Sequence, residues 1–461
     1  MTETQTAPTI TRLLNSVNIG ALAVLQRWVP YWPLSWIEAA QRRRLRVTVR
    51  HAYRTVPFYR EVMDAQGWTP EDCGSVADLE RLPLIDADIV RTDITRFASS
   101  ACGEGDRLTA YSGSGHPVHW DHASMLRKLA YSERDRAVIC RLVGKAWGHR
   151  QLYILPVQSA LFNKRALWEA QTATPRRLAE RHFLSADTPF ELVARRLNEL
   201  RPDVGYSYGS YAEALFRYFA AFRIPVSAPK VWAYGADNLS AGGRALIENE
   251  FGCKVISVLQ AVETSRLAFQ CERRDWYHLN VDLCAVRLVD ERGQTSPPSE
   301  VGEIVVSNLI NRATVLLNFR LGDLAVMTGE RCPCGRTLPC LTHLHGRQSE
   351  IIRLADGRWV STVLLLAAAH VELSATLAGR IVQTEPGRVC WQIRPAPGAD
   401  LDVLRAQLVE RAHEVFGAEF PIEIEWVSEI PLTSAGKLRH AGLGAALSAE
   451  VTGRCAVSPE S

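Results

Sequence analysis

Pro431-Leu432-Thr433-Ser434-Ala435-Gly436-Lys437-Leu438-Arg439, near the end of the chain, is the stretch on which its reading turns. Thr433 and Ser434 can hydrogen-bond to their own backbone, and Gly436 is free to take a positive φ. These residues predict a tight turn with Lys437 at its tip. An ammonium presented this way can follow negative charge developing on a phosphate or a carboxylate. A plain surface turn has the same local sequence, so the assignment depends on what the rest of the chain supplies.

The chain has 461 residues, 47% of them hydrophobic. That is enough for a sizeable core in roughly two to four packing units. Basic residues number 53 against 50 acidic, for a net charge of +3. This balance gives no support for a nucleic-acid binder, which would show a concentrated basic face. The one local excess, Arg42-Arg43-Arg44 with Arg46, reads as a solvated helix face. The apolar run Ile19–Val29 is interrupted by Arg27 and followed by Pro30 and Pro33. No stretch approaches the ~20 residues of a membrane helix, so no membrane insertion is expected. Met1–Ile10 is polar and lacks the basic start of a signal peptide. With eleven scattered cysteines, this predicts reduced thiols and a cytoplasmic location.

Residues 1–9 are expected to be disordered, and residues 10–66 to form helices broken at Trp32-Pro33 and Val56-Pro57. Beyond them, the short apolar runs 152–155, 230–233 and 254–258 alternate with helical patterns over 190–200 and 241–251. Such alternation predicts an α/β fold with a largely parallel sheet covered by helices. Gly302–Ser307 reads as a strand entered from Ser296-Pro297-Pro298-Ser299. A boundary at Gly346-Arg347 divides a large N-terminal domain, 1–346, from a small α+β unit, 347–461. The small unit opens on a hairpin-like Ile351–Val360 with Asp356-Gly357 at its turn, followed by a helix over 402–416 and a strand over 422–426.

Four constellations could carry chemistry. The loop Tyr111-Ser112-Gly113-Ser114-Gly115-His116-Pro117 is small and rich in Ser and Gly, and can turn backbone N–H groups and hydroxyls toward an anion. Asp323, after Gly322 at the end of an apolar run, could accept hydrogen bonds from two ribose hydroxyls or be an ordinary turn aspartate. Glu263 stands where a buried strand emerges, the place where α/β sheets bind ligands. A carboxylate there could hold Mg²⁺ beside a triphosphate. Cys332-Pro333-Cys334, with Cys271 and His278 upstream, makes a Cys₃His set suited to tetrahedral zinc, with Cys340 as a substitute ligand.

Taken in order, these segments resemble the adenylate-forming enzymes, and among them the phenylacetate–CoA ligase-like branch. His51–Arg60 and Leu82-Pro83-Leu84 resemble the opening of that branch, and Tyr234-Gly235-Ala236-Asp237 with Leu239-Ser240 resembles its adenine-side loop. The resemblance implies a large adenylation domain with mixed sheets and a small mobile C-terminal lid. It places Asp323 at the ribose, Glu263 at Mg²⁺, Arg347 near the nucleotide and Lys437 between substrate carboxylate and α-phosphate. Ser112, Gly113, Ser114 and Gly115 fall on the phosphate loop, and Leu259 stands where an aromatic usually stacks on adenine. Cys271, His278, Cys332 and Cys334 fall on zinc-binding positions of the branch, here read as structural.

The implied reaction joins a small, aromatic carboxylic acid to ATP, releases pyrophosphate, and passes the acyl group from acyl-AMP to CoA. Three features depart from the family pattern, the first being Leu259 in place of the aromatic. The phosphate loop is one residue short with His116 at its variable position, and Ser349 with Glu350 stands at the hinge aspartate. They leave room for transfer to an amine, or for a weakened binding homologue. Self-association as a homodimer is left open.

Overall fold

The structure is a computed structural model. It describes residues 6–112, 116–156, 168–173, 180–347, 351–353, 359–361, 375–385, 388–416, 418, 420–430 and 441–443. The chain forms two compact units, the first built from Met1–His149, Val157–Arg181 and Ile256–Leu344, the second from Arg150–Pro156, His182–Val255 and His345–Ser461. Among the described residues no helix is long and apolar enough to cross a membrane.

The first unit begins with α1 (Thr9–Gln26), α2 (Leu34–Thr55) and α3 (Pro57–Ala65). Pro33 caps α2 and Pro57 opens α3, so the breaks fall where proline removes a backbone donor. The Ala7 amide is held by the Ala170 carbonyl at 3.0 Å, so the end expected to be disordered is tied down from this residue on. α4 (Ala87–Thr92) follows. A hairpin of β1 (Arg107–Tyr111) and β2 (Pro117–Asp121) then leads into α5 (His122–Tyr131) and α6 (Glu133–Val143).

In the second unit come β3 (Arg150–Leu155), β4 (Glu180–Ser185), α7 (Phe190–Leu200), β5 (Val204–Ser207), α8 (Gly209–Ala221), β6 (Val231–Gly235) and α9 (Ala241–Phe251). Their strand order is β6-β5-β3-β4, with β3, β5 and β6 parallel. Leu152, Ile154, Leu197, Phe216, Trp232 and Val255 form one buried cluster between strands and helices.

The first unit resumes with β7 (Lys254–Ala261), β8 (Ser265–Gln270), β9 (Tyr277–Leu279), β10 (Cys284–Val289), β11 (Val301–Asn308), β12 (Phe319–Thr328) and β13 (Cys340–Arg347), ordered β10-β11-β12-β13-β9-β8-β7. Here the expectation of a largely parallel sheet fails. β7–β8, β8–β9, β9–β13, β10–β11 and β11–β12 are all antiparallel. A parallel return needs a crossover of a dozen or more residues, and the three residues between β7 and β8 allow only a turn.

The chain ends in the second unit with β14 (Ile351–Arg353), β15 (Trp359–Ser361), β16 (Thr376–Glu385), β17 (Arg388–Pro395), α10 (Leu401–Phe416), β18 (Ile422–Trp426) and β19 (Ala441–Leu443). β14 pairs with β15, and β18-β17-β16-β19 make a small sheet whose core is built on Ile381, Trp391, Leu404 and Leu408.

Helices are locked to the sheet of the first unit by charge as well as by apolar packing. Asp282 precedes β10 and is 3% exposed. Its carboxylate takes a bidentate pair of bonds from Arg134 of α6, at 2.7 and 2.9 Å, and a third from Arg44 of α2 at 2.7 Å. Arg134 also reaches Gln26 of α1 at 2.8 Å and Asn280 at 2.9 Å. So Arg44, expected on a solvated face, turns inward, while Arg42, Arg43 and Arg46 are exposed. Burial alone would raise the Asp282 pKa, but the charges and bonds of Arg134 and Arg44 outweigh it and hold it at about 2.

Removing one partner of a buried pair leaves the other charge uncompensated, at about 3–5 kcal/mol. Asp282→Ala is therefore expected to lower the unfolding free energy by that order in guanidinium titration. Because the folded pKa is depressed, the folded state binds fewer protons than the unfolded chain. The stabilisation is complete above the ordinary carboxylate value and is lost as pH falls toward 2. Acid titrations of wild type and Asp282→Ala should converge at low pH.

Candidate functional site

β7 ends at Ala261 and the chain turns sharply, with the Thr264 amide donating to the Ala261 carbonyl at 3.3 Å. Two side chains hold this turn from outside. Trp120 Nε1 donates to the Val262 carbonyl at 3.0 Å, and Asn308 Nδ2 to the Glu263 carbonyl at 2.5 Å. Glu263 is thereby fixed at the strand end and is 6% exposed. Its Oε1 lies 3.0 Å from Nε2 of the fully buried His116. On the other side of the ring, His116 Nδ1 is 2.9 Å from Ser112 Oγ, and the His116 carbonyl accepts from the Ser112 amide at 3.0 Å. Ser112 and Glu263 thus flank the two ring nitrogens of His116.

The two described ends of the Ser/Gly loop are thus tied to each other and to Glu263. Gly113, Ser114 and Gly115 lie outside the described residues. A serine, histidine and carboxylate in line resemble a nucleophilic triad. Ser112 is only 8% exposed, however, and its hydroxyl lies against the ring. His116 was readable in sequence only as the variable position of the loop. Its carboxylate partner lies far along the chain, and no local pattern joins the two.

Asp323 sits within β12, not in a turn. Val305 pairs with Arg320 and Glu303 with Leu324, so Leu321, Gly322 and Asp323 stand opposite Ile304 alone. Gly322, at φ 76°, takes up the extra backbone. A bulge of this kind re-aims a side chain out of the ladder, and bulges are enriched beside active sites. The Phe319 ring, at the start of the same strand, lies 5.7 Å from that of His116. Leu259 is half-buried on β7, beside the register shift between Leu259 and Gln260. Arg347 closes β13. Lys437 lies outside the described residues.

In the second unit, Gly235 ends β6 and Ala236 follows at φ 72°. The Asp237 carboxylate accepts from the Gly209 and Ser210 amides and from the Ser210 hydroxyl. It caps the start of α8, where the helix dipole favours an anion. In the first unit, Trp147 is 59% exposed, with the Arg27 guanidinium 5.5 Å from its ring. Tyr208 and Tyr211 flank the start of α8, and burial pushes the Tyr208 phenol up to about 12.

The ligand atoms of Cys271, His278, Cys332 and Cys334 all lie within 4.8 Å of one another. Cys271 Sγ is 3.8 Å from Cys332 Sγ, and Cys334 Sγ is 3.4 Å from His278 Nε2. A disulfide needs about 2.05 Å, so the sulfurs are not bonded. A tetrahedron with metal–sulfur distances of about 2.3 Å has sulfur–sulfur edges of about 3.8 Å, so the four donors fit a zinc ion. Cys334 is pushed well below the ordinary thiol range, first by the Cys271 thiol and then by His278 and Arg336. Cys340 faces the other ring nitrogen, with Sγ 3.4 Å from His278 Nδ1. It is placed to orient the imidazole and not to replace a ligand.

No family profile matches this sequence. The phenylacetate–coenzyme A ligase of Thermus thermophilus is 25% identical over 342 residues, covering 69% of this chain and 72% of that protein. The protein CapK of Staphylococcus aureus is 20% identical over 416 residues, covering 87% and 88%. Among solved structures, 2-hydroxyisobutyryl-CoA ligase in its postadenylation state with R3-HIB-AMP superimposes with a TM-score of 0.75 at 19% identity, over 93% of this chain and 94% of that one. The fold is that of adenylate-forming ligases.

The thiol–imidazole cluster predicts about one zinc per chain by elemental mass spectrometry. Cys332→Ser should lose the metal and lower the melting temperature together. Full stability without metal would remove the structural role.

Proposed function

We propose that this chain, a member of the adenylate-forming superfamily on its phenylacetate–CoA ligase-like branch, is an AMP-forming acid–thiol ligase. It activates a small carboxylic acid with ATP and passes the acyl group to CoA. The observation that carries this reading is the meeting of Ser112, His116 and Glu263. Two segments read separately as a phosphate loop and a metal-binding carboxylate come together within hydrogen-bond reach in one unit.

In the first half-reaction a carboxylate oxygen of the acid attacks the α-phosphorus of ATP. The bond between that phosphorus and the bridging oxygen breaks, pyrophosphate leaves, and acyl-AMP remains. In the second, the CoA sulfur attacks the acyl carbon and AMP departs. A carboxylate is already a competent nucleophile, so the protein's work is positioning and charge neutralisation. The loop Ser112–Gly115 offers donors to the β,γ-phosphates, and Asp323, aimed by its bulge, accepts from the ribose hydroxyls. Gly235, Ala236 and Asp237 supply backbone to the adenine side, where Leu259 packs in place of an aromatic ring. Arg347 and Lys437 bring positive charge to the nucleotide, Lys437 bridging the substrate carboxylate and the α-phosphate.

Glu263 is the group that would hold Mg²⁺, which when bound neutralises charge on the triphosphate. A buried carboxylate with a histidine on one side and an oxygen left for an ion fits that task. Cys271, His278, Cys332 and Cys334 would hold a zinc ion in a structural role, because four protein ligands would leave no open position for chemistry. An aromatic acid is the preferred substrate class, on the strength of the sequence similarity.

The test is pyrophosphate release from ATP and Mg²⁺ across a panel of aromatic and aliphatic acids, with mass detection of acyl-AMP and then of the CoA thioester. Lys437→Ala is expected to lower adenylation at least about 10²-fold, the scale of a lost charge-stabilising group. Glu263→Gln should raise the Mg²⁺ concentration needed for half-maximal rate. Tight ATP binding with no acyl-AMP from any acid, in the wild type, would overturn the reaction assigned here.

A further inference from the structure

α1 is mounted with its polar side against the protein. Arg12 donates to the carbonyls of Glu169 and Thr172 at 3.1 and 2.9 Å, and Asn15 to that of Gln171 at 3.0 Å. Ser16 Oγ accepts from the Ala173 amide at 2.8 Å, and Gln26 accepts from the buried Arg134. The opposite side is apolar and, among the described residues, uncovered. Leu13, Leu14, Val17, Ala21, Val24 and Leu25 are all exposed, and the run continues to Ile10 and Trp28 at its ends, 74% and 61% exposed. At 3.6 residues per turn these side chains fall within an arc of about 120°. Most helices bury such a stripe. A contiguous exposed apolar patch of this extent on a monomer marks an interaction site.

Three features identify what covers it. A helix lying in a lipid surface keeps a Lys/Arg-rich polar face toward the headgroups. Here the polar face is turned inward, and the two cations of this segment are engaged, Arg12 with backbone and Arg27 with Glu133 at 2.6 Å. The spacing of the stripe is also symmetric about Ile19. Counting outward, Val17 matches Ala21, Leu14 matches Val24, Leu13 matches Leu25 and Ile10 matches Trp28. A two-fold axis crossing the helix at Ile19 would set each residue against its match in a second, antiparallel α1. Gly20, at the edge of the stripe, is exposed, with none of the described residues within 4 Å of where its Cβ would be, so the approach of a second helix is unobstructed there. The seven large side chains of the stripe are each 43–74% exposed, so hiding them removes roughly several hundred Å² of apolar surface per chain, the order of one partner's share of a standard interface, ~800 Å².

We infer that the outward face of α1 is the two-fold interface of a homodimer, packing against the antiparallel α1 of a second copy of this chain. An interface of this kind is isologous, so a change at one position acts twice.

Light scattering on the full-length chain at micromolar concentration tests this, with the mass expected at twice 51.3 kDa. Leu14→Glu combined with Val24→Glu sets like charges opposite each other across the axis and should give a monomer with an unchanged far-UV circular dichroism spectrum and a lower, concentration-independent melting temperature. Leu14→Lys combined with Val24→Glu sets opposite charges there and should remain a dimer. A monomeric wild type would overturn the inference, as would a dimeric double-Glu variant. If both double variants are monomeric, the antiparallel register is wrong. A wild type that is monomeric in solution and sediments with anionic vesicles would assign the stripe to lipid instead.

Discussion

Asp282 is the point from which the first unit is held together. A carboxylate this deeply buried survives only because Arg134 meets it with two parallel bonds and Arg44 with a third. Through Arg134 and Gln26 the same cluster reaches α1, so three helices and the loop before β10 are fixed by one charge. Apolar packing tolerates rotation of a helix about its own axis, whereas a fork of directed bonds does not. With Gln26 committed inward, the rest of α1 has its polar side bound and its apolar side outward.

The turn at Glu263 rests on that frame. Its backbone is pinned by Trp120 from the β1–β2 hairpin and by Asn308 at the end of β11, so the carboxylate has little freedom of its own. His116 then serves two purposes at once. It gives the buried carboxylate a partner, and it draws the Ser/Gly loop toward the strand end where ligands of α/β folds bind. The thiol–imidazole cluster does comparable work elsewhere, joining the end of β8 and the start of β9 to the segment before β13, with Cys340 steadying the imidazole from behind.

Much of this was legible in the amino-acid order. The helices over 190–200 and 241–251 and the strands at 152–155, 254–258 and 422–426 appear where apolar spacing and flanking prolines put them. Spacing also marked Cys332 and Cys334, and the end of an apolar run marked Glu263. These signals are local: a helix face, a strand's hydrophobic run and a two-cysteine knuckle are each encoded within a few residues. The direction of the strands after β7 was harder. It depends on loop length rather than on strand composition, and the alternation that suggests parallel pairing stops at β7.

What the sequence by itself determined is the inventory: the elements, the chemically capable residues and the resemblance that orders them. What only the tertiary structure decided is who faces whom. Nothing near His116 announces Glu263, nothing in Arg42-Arg43-Arg44 separates the one arginine that turns inward, and nothing next to Gly322 shows that Asp323 leaves its ladder through a bulge. Each of these depends on a partner distant in sequence and brought close only by packing. The outward face of α1 is the clearest case. Periodicity fixes that it has an apolar side and a polar side, but bonds to Gln171, Thr172 and Arg134 fix which of them meets the protein.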